Sequence, residues 1–210
     1  MKSLLLTFLI LVCSTACTKA QTFYGTSDLK TFRDGRDAEF RERRLSPLKQ
    51  EDFIAFKGLN YFPEEKKYVV TARFEKSADE KTFGMPASNG TSLTYLKIGV
   101  LRFNLDGADY VLNAYQSEAI LQSKTSPYKN LIFVPFKDLT NGKETYGGGR
   151  YLDITKPESD EVSLNFNLAY NPNCAYGNEK YACPIPPRDN SLQTEIKAGE
   201  KIFEYFGKQH

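Results

Sequence analysis

The chain has 210 residues and a formal charge of +2, a balance that offers no basic surface for nucleic acid. Hydrophobic residues make up 40%, with 13 tyrosines and 15 phenylalanines, enough to build the core of a single domain. The only histidine is His210 and there are four cysteines, so neither a metal site nor a cofactor is expected.

The first predicted element is a leader. Lys2 precedes an apolar run from Leu4 to Val12, too short for a membrane-spanning helix, which needs about 20 residues. The run ends in Ser14-Thr15-Ala16-Cys17, small residues before a cysteine. This pattern predicts a signal peptide over 1–16 and a lipidated Cys17, carrying palmitate, with a tether over 17–26 and one domain over 27–210. It also predicts a lipid bilayer as partner, with the protein anchored in the bacterial cell envelope and facing away from the cytoplasm. Acyl chains contribute roughly 0.8 kcal/mol per buried methylene, so two or three anchor firmly.

A helix is predicted next, capped by Ser27 with Asp28 in its first turn. Leu29, Phe32, Phe40 and Leu45 form its apolar stripe, interrupted by Gly35. Arg41, Arg43 and Arg44 form either a solvated face or a contact for anionic headgroups near the anchor. A second short helix is capped by Ser46, with Pro47 at its first position and Phe53, Phe56 and Leu59 near one face.

From Tyr68 the pattern changes to strands: Tyr68–Phe74, Leu93–Ile98, Leu131–Pro135, Arg150–Ile154 and Val162–Phe166. The clearest element is GVLRFNLDGADYVLNAY at 99–115. Asp106-Gly107 has the chemistry of a two-residue hairpin loop, which pairs Leu105 with Ala108, Phe103 with Tyr110, and Leu101 with Leu112. Asn141-Gly142 is another turn signal. Ile196 to Phe203 reads as a strand pair or a broken helix. The whole predicts a mainly β fold, an antiparallel barrel or sandwich with one or two N-terminal helices.

Two blocks concentrate the chemistry. The first is TYGGGRYLD at 145–153. Its glycines either cradle an anion beside Arg150 or turn the chain into a strand whose Arg150 pairs with a carboxylate. Tyr151 and Asp153 share one strand face and Arg150 points to the other. No nucleotide-binding fingerprint is present. The second block, NCAYGNEKYACPIPPRDN at 173–190, holds Cys174 and Cys183. In an exported chain this pair is expected as a disulfide worth about 2–3 kcal/mol, against a metal pair or two free thiols.

The segments FPEEKKYVVTARFE, LIFVPFKDLTNGKETYGGGRYLD, FNLAYNPNCAY and CPIPPRDN together resemble the bacterial domain of unknown function 1684, over roughly residues 45–203, in a lipoprotein member. The resemblance implies a mostly β domain and supplies no reaction. Three function classes follow. A membrane-anchored envelope domain would bind a small polar ligand or carbohydrate through Tyr146, Tyr151, Tyr170 and Tyr176, oriented by Arg150 or Asn171. A hydrolase-like enzyme would use Glu144, Asp153 or Asp189 for acid–base chemistry, or Cys174 as nucleophile. A purely structural envelope domain would use none of them. The binding class is the main expectation.

Overall fold

The computed structural model describes residues 23–79 and 81–205. Helix α1 spans Leu29–Arg41 and is capped by Asp28, whose side chain accepts a hydrogen bond from the Thr31 N–H. Ser27, the expected cap, lies one residue too early. Phe32, Arg36 and Phe40 recur at helical spacing and form the buried stripe, whereas Leu45 lies beyond the helix and is exposed. Helix α2, Gln50–Ala55, begins after Lys49, not at Ser46. Ser46 is buried and its hydroxyl accepts from the Leu48 N–H. The basic residues after α1 find partners within the chain: Arg41 with Asp37, Arg44 with Glu42, and Arg43 with the Leu48 carbonyl.

Seven strands among the described residues form one antiparallel sheet: β1 Val69–Lys76, β2 Thr82–Pro86, β3 Ser92–Leu105, β4 Ala108–Ser117, β5 Leu131–Phe136, β6 Arg150–Thr155 and β7 Glu161–Asn165. A short helix α3, Glu118–Gln122, follows β4. The order β6–β5–β4–β3–β1–β7 curls into a half-barrel, with β2 paired to the first half of β3. The mainly β expectation holds. The hairpin has the expected register, Leu105 opposite Ala108 and Leu101 opposite Leu112. Asp106 (φ 50°) and Gly107 (φ 83°) both take left-handed conformations, as the tightest hairpin loop requires.

Two expected strands, Leu93–Ile98 and Gly99–Leu105, are one strand. The pairing of β3 with β4 shifts register between Lys97 and Gly99, the mark of a bulge that bends a long strand. A Cβ on Gly99 would stand 2.5 Å from the Glu75 carbonyl oxygen, so glycine allows β1 to approach the bend. The inner face of the sheet carries Ala72, Phe74, Leu101, Phe103, Val134 and Leu152 into the main core. Residues 196–203 are neither strand pair nor helix. They run as irregular chain, with an isolated bridge between Tyr61 and Glu200. No helix among the described residues is long and apolar enough to cross a membrane.

Candidate functional site

Strand alternation places the site. On β6, Leu152 and Ile154 enter the core, while Tyr151 and Asp153 turn to the other face. On β5, Ile132 and Val134 enter the core, while Leu131 and Phe133 turn outward. Phe133 is the direct cross-strand partner of Asp153. The segment from Tyr170 to Pro184 covers this face. It is tied down by paired hydrogen bonds between the backbones of Tyr151 and Tyr170, at 2.9 and 3.0 Å.

Between sheet and cover lies a cavity of about 350 Å³. Its walls hold six tyrosines, Tyr24, Tyr95, Tyr128, Tyr151, Tyr170 and Tyr181. Phe133, Leu121 and Leu131 add apolar surface. Among the described residues, Asp153 is the only carboxylate in this lining, and no lysine or arginine joins it. Its Oδ2 accepts a short hydrogen bond from the Tyr170 hydroxyl, and its Oδ1 has no hydrogen-bond partner among the described residues. Burial pushes the Asp153 carboxyl up to about 6, against the opposing pull of the Tyr170 hydrogen bond and of Arg36.

Three of the six tyrosine hydroxyls around the cavity are committed, Tyr170 to Asp153 among them. Tyr151 donates to the Pro184 carbonyl, and Tyr24 donates to Glu39 at 3.0 Å. The hydroxyls of Tyr95, Tyr128 and Tyr181 have no hydrogen-bond partner among the described residues, and of these three Tyr95 alone is buried, at 8% exposed, with its ring stacked on Phe133 at 5.5 Å. Tyr24 and Tyr128 belong to segments that the sequence left as tether and loop, Tyr95 to a strand expected as ordinary sheet, and Gln116 lies one residue past the expected hairpin. The signal for these residues was weak, because their only common property is convergence in three dimensions.

The remaining expected site residues build the frame. Arg150 is fully buried and donates to Asp138 Oδ2 at 2.9 Å and to the Ile196 carbonyl at 2.8 Å. The three glycines turn the chain into β6, and Arg150 beside them is paired with a carboxylate. Gly149 (φ +96°) lets the turn pass within contact of the Phe136 carbonyl and Pro186. Asn171 and Tyr176 are fully buried on Glu200. Asn171 donates to it from backbone and side chain at 3.1 Å, and Tyr176 donates from its hydroxyl. Arg36 completes this second cluster, contacting Glu200 and the Tyr176 hydroxyl while its guanidinium lies over the Tyr170 ring. Tyr146 packs at the edge of the cluster around Phe40, outside the cavity. Glu144 sits at the surface in an ion pair with Lys197, and Asp189 is exposed outside the lining. Cys174 is bonded to Cys183, so it is no nucleophile in this state. Thus Tyr151, Asp153 and Tyr170 meet at the cavity, whereas Glu144, Tyr146, Arg150, Asn171, Cys174 and Tyr176 do not line it.

Glu200 depends on the residue before it. Gly199 has φ +75°, and a Cβ there would stand 2.5 Å from the Ala169 carbonyl oxygen. Gly199→Ala is expected to cost about 2–3 kcal/mol, from backbone strain plus overpacking. Urea unfolding should report a lower midpoint at unchanged slope. A midpoint equal to that of the wild type would show that the loop relaxes.

The family model described as "Protein of unknown function (DUF1684)" matches residues 54–201. The solution NMR structure of the uncharacterized protein from gene locus rrnAC0354 of Haloarcula marismortui is similar, with 35% identity and a TM-score of 0.64. The match covers 82% of this chain and 91% of that one. No curated protein matches. The chain belongs to the DUF1684 family.

These findings correct the expectation of a bacterial envelope lipoprotein. The family is described by neither property, and the matched fold fills nearly the whole of an archaeal chain. The described cysteines, Cys174 and Cys183, bond to each other and are not available for acylation. Cys17 and the expected signal peptide over 1–16 lie outside the described residues. Residues 23–26, expected as the end of a tether, instead pack on the domain, where Thr155 donates to the Gly25 carbonyl. Membrane anchoring, palmitate, the bilayer as partner and the envelope location are withdrawn. So is the small polar ligand or carbohydrate, because Arg150 and Asn171, which were to orient it, are spent on internal partners and the cavity wall is mostly apolar.

Proposed function

We propose that the cavity over β5 and β6 is an enzyme site in which Asp153 acts as general acid–base on a small, mostly apolar substrate. The supporting observation is the state of that carboxyl. It is held at one oxygen, free at the other and raised to about 6, in a wall of aromatic and aliphatic side chains. A proton-transfer group works best when its pKa lies near the working pH, and burial is the usual means of bringing a carboxyl there. Hydrolysis by paired carboxylates is disfavoured, since one carboxyl lines the cavity. Of the expected catalytic candidates, this reading keeps Asp153 and sets aside Glu144 and Cys174.

The test is a reaction that needs only a base in an apolar pocket. In 5-nitrobenzisoxazole, removal of the ring C–H proton breaks the N–O bond and releases a coloured cyanophenolate. The full-length protein is expected to accelerate this elimination, with a rate that rises through an ionisation near 6. Asp153→Asn should lower kcat/KM about 100-fold. A wild-type rate no greater than that of the Asp153→Asn variant would sink the acid–base reading.

A further inference from the structure

We infer that the substrate of this site is an enolisable carbonyl compound with an apolar body, and that Tyr95 donates the hydrogen bond that holds its oxygen. The inference rests on the acid–base reading of Asp153 and adds a second working group.

Tyr95 carries the argument. A tyrosine hydroxyl on a cavity wall is either tied to the protein or left as a polar handle for what enters. Tyr151, Tyr170 and Tyr24 are tied inside the same cavity. Tyr95 has a ring as buried as those of Tyr151 and Tyr170 and fixed against Phe133, the cross-strand partner of Asp153, and its unspent hydroxyl opens onto the cavity. A ligand acceptor is the partner the cavity leaves room for. Among the described residues no lysine or arginine lines the cavity, which makes a neutral carbonyl a better match than a carboxylate or phosphate. The Asp153 charge acts on Tyr95, and together with burial it pushes the phenol up to about 12, so the group stays a donor at neutral pH.

A base and a donor in one apolar cavity are the two groups that enolisation requires. Asp153 Oδ1 takes the α-proton: the C–H bond breaks and an O–H bond forms. The released pair becomes a C=C bond, and the carbonyl π pair moves to oxygen, where Tyr95 holds it. Return of the proton from Asp153 to the same carbon, or to the far end of a conjugated system, completes the cycle without an oxidant or reductant.

The experiment follows α-deuterium exchange of 2-tetralone in heavy water by proton NMR, with the full-length protein. The wild-type chain is expected to accelerate exchange, and Asp153→Asn to abolish the acceleration. Tyr95→Phe should lower exchange about 100-fold. Its effect on 5-nitrobenzisoxazole turnover should be smaller than its effect on exchange, since the nitro group already stabilises the phenolate that leaves and the enolate has no such help. The phenylalanine keeps the stack on Phe133, and an unchanged thermal midpoint confirms an intact fold. Exchange unaffected by Tyr95→Phe overturns the donor role. Elimination without any exchange overturns the carbonyl substrate and leaves Asp153 as base. Failure of both reactions removes the acid–base reading and this inference with it.

Discussion

The Arg150→Met variant is expected to unfold with about 3–5 kcal/mol less free energy than the wild-type chain. Methionine replaces much of the volume and none of the hydrogen bonds. Arg150 serves four acceptors: Asp138 Oδ2 at 2.9 Å, and the carbonyls of Ile196, Ala198 and Glu200. Both members of the ion pair have fully buried side chains. Removing the cation leaves a carboxylate without its counter-charge and three carbonyls without donors, and this uncompensated burial is the source of the cost. Asp138 also accepts from the backbone N–H and hydroxyl of Thr140 and from the Ile196 N–H. Adding Asp138→Asn to Arg150→Met should therefore restore part of the loss, because it removes the orphaned charge and keeps an acceptor. Urea unfolding of both variants measures this. A loss under about 1 kcal/mol for Arg150→Met would mean that water reaches Asp138, and that the pair does not hold β6 to the 196–200 segment.

This pair also shows which features were legible in the sequence. Strand alternation puts Arg150 and Asp153 on opposite faces of β6, and they do different work there: one ties the frame together and the other lines the cavity. The sequence alone left open whether Arg150 meets an anion or a carboxylate, because Asp138 reaches it only after the chain has turned through Asn141-Gly142 and the glycines. The Asp106-Gly107 hairpin was legible because its loop chemistry and side-chain pattern are local and agree. Strand β2 was not. TFGMP holds glycine and proline, reads as loop, and becomes a strand by pairing with the long first half of β3. The expected cap of α1, Ser27, is one residue early, because Ser27 and Asp28 are both good caps and only the contact with the Thr31 N–H selects Asp28.

The cavity lay furthest from the sequence reading. Tyr24, Tyr95, Tyr128 and Asp153 come from four separate segments, and tyrosine at the first three is ordinary as core. Tyr151 and Tyr170 line the cavity as the sequence suggests, whereas Asn171 and Tyr176, close to Tyr170 in sequence, do not. In the fold Tyr170 faces Asp153, while Tyr176 lies on the far side of the Arg36–Glu200 cluster, against Phe40 and Phe203. A short irregular segment changes faces within a few residues, and no periodicity announces where.

The Asp153→Asn variant is expected to be more stable than the wild-type chain at neutral pH, by about 3 kcal/mol. A carboxyl that titrates at 3.8 in the unfolded chain and at about 6 in the fold is penalised by this amount when charged. Between these values the folded state holds the proton and the unfolded state has released it. Wild-type stability therefore falls as pH rises through that window and stays lower above it. Asparagine keeps an acceptor for the Tyr170 hydroxyl and carries no charge, so the variant lacks this fall. The two chains should converge in stability as pH drops toward 3.8, and the difference between them should be fully developed above about 6. Urea midpoints across that range measure the difference. Equal stability at neutral pH would show that solvent already relieves the charge, removing the electrostatic support for a proton-transfer role. A gain in stability coupled to loss of 5-nitrobenzisoxazole turnover is the signature of a residue kept for its chemistry, because a buried charge without a counter-ion in contact burdens the frame that Arg150 and Arg36 hold together.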